Sequence, residues 1–111
     1  MQRYCLALDL VDDPTLIAEY EDYHRSVWPG IKKSITDSGI QQMEIYRTGN
    51  RLFMIIDASD DFSFAKKSAM DAGNKEVQDW ENLMWKFQLA LPWAAPGEKW
   101  ILMNQLFSLN S

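Results

Sequence analysis

The sequence predicts an α+β protein, a ferredoxin-like β-α-β-β-α-β sandwich whose four-stranded antiparallel sheet carries its helices on one face. Three observations lead there. Strand-like apolar runs stand near both ends of the chain, at about residues 2–10 and 98–107. Two more strands, about 40–47 and 51–57, flank Thr48-Gly49-Asn50, a hairpin turn in which Gly49 or Asn50 can take positive φ. The segments between them place apolar residues at helical intervals. The 111 residues make one domain, 1–111, and 47% hydrophobic content supports a real core.

In the first strand Tyr4, Leu6, Leu8 and Leu10 share one face, and Cys5 and Ala7 give the other face small side chains. A strand apolar on both faces belongs in the middle of a sheet. Asp13-Pro14 supplies a cap acceptor and a preset φ for a helix that runs to about Val27 and breaks before Pro29. A shorter helix follows over about 30–38, with Ile31 and Ile35 inward and Gly39 as its C-terminal stop. Leu52-Phe53-Met54-Ile55-Ile56 is apolar throughout and hence central, whereas the strand before it aligns Gln42, Glu44 and Tyr46 on one face. Such a polar row is out of place in a dry core and useful in a pocket.

A helix around 62–72 should turn Phe62, Ala65, Ala69 and Met70 to the sheet. The next, about 75–90, carries Val77, Trp80, Leu83, Met84 and Phe87 at helical spacing, which Leu91 continues. Residues 92–97 form a loop before the last strand. Four strands leave one sheet face bare, and the apolar and aromatic content of that face predicts a second copy packed sheet on sheet, a dimeric α/β barrel.

The formal charge is −5 and the basic residues are scattered, with only Lys32-Lys33 and Lys66-Lys67 adjacent. Nucleic acid needs clustered Lys and Arg, so a polar small molecule fits this charge better. Cys5 is the only cysteine, which excludes an internal disulfide and a CxxC site. It reads as a buried small hydrophobe. With one histidine beside it, no histidine- or cysteine-rich metal site is expected. A signal-peptide pattern and an apolar run of membrane-spanning length are both missing, so the expected setting is the cytoplasm, with no membrane partner.

The one histidine, His24, lies four residues after Tyr20 and four before Trp28. On a helix the three stand above one another, on the face that also receives Leu16, Ile17 and Val27. A titratable ring, a phenol and an indole on one inward stripe outline a polar site with aromatic walls. The plainer reading is a core histidine satisfied by a backbone carbonyl.

The run His24-Arg25-Ser26-Val27-Trp28-Pro29, with Tyr20 before it, resembles the L-rhamnose mutarotase family. The likeness continues through Gly39, Ile45-Tyr46, the Leu52-Phe53 strand ending in Asp57, Trp80 in a helix, and a closing strand near Phe107. It implies a dimeric α/β barrel that interconverts the anomers of a 6-deoxy-L-hexose without a cofactor. The family's histidine, tyrosine and helix tryptophan correspond to His24, Tyr20 and Trp80. Two departures stand out. Trp80 is followed by Glu81 where rhamnose-typed members have a second tryptophan, and the stretch from Met84 to Trp100 is longer. The longer stretch is similar to the branch associated with L-fucose, and both departures bear on which sugar is held.

Mutarotation opens a cyclic hemiacetal and recloses it on the other face of the aldehyde. It needs a group that exchanges protons near neutral pH, and histidine suits that task. On this resemblance His24 is the acid/base and Tyr20 a second proton-handling or orienting group. Tyr46, Trp80 and Trp28 are walls for the sugar's apolar edge, and Glu44, Asp57, Gln42 and Asn104 are hydroxyl binders. The plainer roles are core or dimer packing for the three rings and a solvated strand end for Glu44 and Asp57. Two alternatives share the element order. One is a dimeric-barrel monooxygenase, cofactor-free or haem-dependent, and the other a non-catalytic small-ligand-binding barrel.

Overall fold

The computed structural model describes residues 1–110. Its elements are β1 (Gln2–Leu10), α1 (Pro14–Arg25), α2 (Pro29–Asp37), β2 (Ile40–Thr48), β3 (Arg51–Ala58), α3 (Phe64–Ala72), α4 (Lys75–Met84), β4 (Gln88–Leu89) and β5 (Ile101–Leu102). The sheet order is β2-β3-β1-β4, and β5 also pairs with β1. Every pairing is antiparallel. The expected ferredoxin-like architecture is present.

β1 and β3 form the centre, in register from Gln2 opposite Ala58 to Asp9 opposite Arg51. The hairpin between β2 and β3 turns at Gly49, whose φ of +55° is where a Cβ would be strained. At its other end β2 carries a bulge: Ile40 faces Ala58 and Gln42 faces Asp57, leaving Gln41 over. One extra residue changes which face later side chains take. Ile40, Met43 and Ile45 therefore join the core, while Gln42, Glu44 and Tyr46 turn to the opposite face and are exposed.

The helix boundaries follow their caps. Asp13 accepts from the backbone N–H groups of Thr15 and Leu16 at 2.8 and 3.1 Å, and Pro14 opens α1. Pro29 opens α2 in the same way. Ser63 and Asn74 cap α3 and α4 by accepting from Lys66 and Val77. α3 buries none of its own residues, so Ala65, Ala69 and Met70 do not reach the sheet as expected. Phe62, just before α3, is buried instead.

The core packs one sheet face against the helices. Leu10 and Leu52 meet Tyr20, Ile31, Val77, Trp80, Met84 and Phe87. Toward the other end, Leu6, Ile40, Met54, Ile56 and Ala58 meet Phe62.

Two expectations need correction. The helix expected to reach residue 90 ends at Met84, and the expected single last strand is replaced by two short ones, β4 and β5, giving five strands. After α4 the backbone tightens, with Phe87 N–H donating to Met84 O at 2.9 Å, and Val11 N–H then captures Phe87 O at 2.8 Å. Phe87 and Leu91 are buried in either conformation, so apolar spacing did not separate helix from strand here. β4 occupies the β1 edge at Asp9-Leu10 and β5 at Leu6-Ala7. Past Met103, whose N–H donates to Cys5 O at 2.7 Å, the chain leaves the sheet, and Leu106 is 97% exposed.

The face turned from the helices carries Cys5, Ala7, Phe53 and Ile55, all half-buried. Cys5 is thus less enclosed than expected. Two ion pairs flank this strip: Arg3 donates to Asp57 at 2.8 and 3.2 Å, and Arg51 to Asp9 at 2.7 and 3.1 Å.

Candidate functional site

Between the inner sheet face and the helices lies a cavity of about 800 Å³, a size suited to small ligands. Met43, Ile45, Met54 and Ile56 from the sheet form its floor, and α1 and α4 supply His24, Tyr20 and Trp80. Charge is confined to a few groups. Lys67 donates to Asp71 at 2.6 Å, and Lys99 donates to Glu81 O at 3.3 Å while its Nζ lies 4.5 Å from the Trp85 ring centroid. Burial lowers the Lys99 pKa.

His24 is one helical turn after Tyr20, and its Nδ1 lies 2.8 Å from the Tyr20 carbonyl oxygen. A carbonyl only accepts, so Nδ1 carries a proton and the lone pair of the neutral ring sits on Nε2. Burial lowers the His24 pKa, and this backbone hydrogen bond opposes the shift. The imidazole is therefore neutral at neutral pH. Its ring stands 4.3 Å from the Tyr20 ring and 5.7 Å from the Trp80 ring, centroid to centroid.

Tyr20 is 4% exposed. Burial pushes its phenol up to about 12, and the neighbouring Gln88 amide opposes that shift. At neutral pH the hydroxyl keeps its proton and acts as a hydrogen-bond donor.

Of the residues singled out in the sequence, Tyr20, His24 and Trp80 meet in this cavity. Trp28 stands behind it, edge-on to Trp80 at 5.0 Å. Tyr46, Glu44 and Asp57 lie on the opposite sheet face with Gln42, because of the β2 bulge and strand alternation. There the Tyr46 hydroxyl donates to Glu44 at 2.7 Å, and the Arg3 guanidinium holds the Asp57 carboxyl below the usual carboxylate range. Asn104 is exposed beyond β5. The sequence reading missed Met43 and Ile45 as cavity floor, Lys99 and Trp100 from the last loop, and Gln88. Gln88 carried no signal in the sequence, because the chain leaves the helix after Met84 and Gln88 begins β4.

Among the described residues no three His, Cys, Asp or Glu side chains converge as a metal site, and no helix is long and apolar enough to cross a membrane.

The L-rhamnose mutarotase sequence family matches residues 3–109. An L-fucose mutarotase of Xanthomonas campestris pv. campestris is 49% identical over 112 residues, covering 99% of this chain and 90% of that protein. A UPF0734 protein of Dictyostelium discoideum is 36% identical over 116 residues, covering 98% and 90%. Among solved structures, an L-rhamnose mutarotase of Formosa agariphila superposes with a TM-score of 0.72 at 22% identity, covering 98% of this chain and 99% of that one. Tetracenomycin F2 cyclase of Streptomyces glaucescens, a type-II polyketide cyclase, shares the fold at a TM-score of 0.59 and 15% identity, covering 97% and 96%. Matched along almost its whole length by sequence and by fold, the chain belongs to the L-rhamnose mutarotase family.

Proposed function

We propose that the protein interconverts the α and β anomers of a 6-deoxy-L-hexose, with His24 moving the proton. The observation that carries this reading is the neutral His24 ring, tied through Nδ1 to the Tyr20 carbonyl and bordering the cavity between sheet and helices.

In the closed sugar His24 Nε2 takes the proton of the anomeric hydroxyl. The O–H electron pair forms the C1–O1 double bond, the bond from C1 to the ring oxygen breaks, and the ring oxygen takes the proton from the imidazolium. Rotation about C1–C2 presents the other aldehyde face, and the same steps in reverse close the ring. One proton leaves one oxygen and arrives at another, so atoms and charge balance with no cofactor. Tyr20, with a pKa of about 12, is too weak an acid to release its proton readily and instead donates a hydrogen bond to the ring oxygen. Trp80 offers an indole wall to the sugar's apolar edge and C6 methyl.

L-Fucose is the preferred sugar in this reading, supported by the relative named for it and by the long stretch from Met84 to Trp100. Tyr46, Glu44 and Asp57 belong to the contact between two copies rather than to the sugar. The half-buried strip of Cys5, Ala7, Phe53 and Ile55, closed at both ends by ion pairs, has the apolar centre and polar rim of a subunit interface. A second copy laid on it completes a dimeric α/β barrel. A cytoplasmic setting is part of this reading, one in which the lone Cys5 thiol stays reduced.

Saturation-transfer NMR on equilibrated L-fucose and L-rhamnose tests the activity. Catalytic amounts of protein should speed transfer between the α and β anomeric signals, fastest for L-fucose. No acceleration for either sugar would refute the proposal.

A further inference from the structure

Gln88 stands out among the residues that the reaction itself does not use. It is 8% exposed, and its side-chain oxygen is fully enclosed with no hydrogen-bond partner. Buried polar atoms are rarely left so, because losing water without a replacement is unfavourable. The residue borders the same cavity as Tyr20 and His24. Its backbone is held by the pairing of β4 with β1, Gln88 opposite Leu10. The backbone pairing therefore does not account for the amide oxygen, which has no partner in the protein although the amide neighbours the Tyr20 phenol.

We propose that Gln88 selects the sugar: its Oε1 accepts a hydrogen bond from a hydroxyl that ring opening does not consume, and so separates 6-deoxyhexoses that differ in configuration there. L-Fucose and L-rhamnose differ at C2 and C4 alone, so the hydroxyl is one of those two. This assignment rests on the mutarotase reading. It deepens that reading, since proton transfer at O1 and the ring oxygen is common to both sugars and cannot tell them apart. A fixed acceptor on the cavity wall can, because the wrong epimer leaves it unpaired.

Gln88→Met and Gln88→Asn test it, the first removing the acceptor at similar length and the second withdrawing it by one methylene. Anomer exchange on both sugars is measured for KM and kcat, with calorimetric sugar binding and the thermal midpoint of the sugar-free protein alongside. The expected result is a KM for L-fucose raised roughly three- to ten-fold, the loss of one neutral hydrogen bond. The kcat stays within about two-fold, the L-rhamnose KM changes less, and the sugar-free midpoint is unchanged or higher for Gln88→Met. Unchanged KM for both sugars, or equal losses on both with a lowered midpoint, would overturn the assignment and leave Gln88 a packing residue. Wild-type protein that binds a sugar in a Gln88-dependent way without speeding exchange would sink the mutarotase reading and keep the binding role. Wild-type protein that does neither would sink both.

Discussion

The Nδ1 of His24 lies 2.8 Å from the carbonyl oxygen of Tyr20, one turn back along the same helix. This contact ties the tautomer of the imidazole to the backbone of α1, and the four-residue spacing stacks the phenol ring 4.3 Å from it. The proposed proton acceptor and orienting hydroxyl thus come from one rigid element, with little freedom to drift apart.

The pH profile follows from the burial of His24, which lowers its pKa from 6.5. In the proposed mechanism the neutral ring is the working base, so kcat/KM should be flat above about pH 6.5 and fall only on the acid side, with a midpoint below 6.5. His24 should also leave a stability signature. Between the lowered folded value and 6.5 the unfolded chain binds more protons than the folded one, so stability rises with pH. The contribution is complete above 6.5 and lost as pH falls through the folded value. Denaturant titrations at several pH values check this, and His24→Gln should flatten the slope across that window.

Tyr20→Phe removes a hydroxyl that is buried against the cavity and keeps the ring packed on His24 and Phe87. Stability should change by less than about 1 kcal/mol, while kcat falls by about tenfold from the loss of one hydrogen bond to the ring oxygen. Anomer-exchange rates beside a thermal melt separate the two effects.

Trp80 contacts the rings of Tyr23, His24 and Trp28 and is buried. Trp80→Ala should cost about 3–5 kcal/mol of stability, as large-to-small core changes do. Trp80→Phe should fold and raise KM more than it lowers kcat, because a smaller ring covers less of the sugar's apolar edge.

Ile55 sits opposite both Cys5 and Glu44 at the centre of the open sheet face. Ile55→Arg puts a charge in the middle of the proposed subunit contact. Light scattering should show a dimer of the 12.9 kDa chain for the wild type and a monomer for the variant. A variant that remains dimeric would place the contact elsewhere.

Much of the fold was legible because local chemistry agreed with the global arrangement. Asp13-Pro14, Pro29, Gly39 and Gly49 each carry the backbone preference of the boundary they occupy. The Tyr20–His24 pair was legible for a similar reason: four-residue spacing on a helix has one geometric meaning. What escaped were features decided by distant partners. The bulge at Gln41 depends on how β2 pairs with β3, and it sends Glu44 and Tyr46 away from the cavity that strand alternation alone had offered them. The turn from α4 into β4 depends on Val11 capturing Phe87, a contact across most of the chain. Gln88 reached the cavity wall by that same turn.

The most direct test of the proton-shuttle account is anomer exchange of L-fucose by wild type and His24→Asn, at matched concentration and pH 7.5, with a thermal melt showing that both are folded. The variant is predicted to retain the fold and lose about 10²- to 10⁴-fold in kcat, the usual contribution of a positioned acid–base group. A folded His24→Asn protein that exchanges the anomers at the wild-type rate would contradict it.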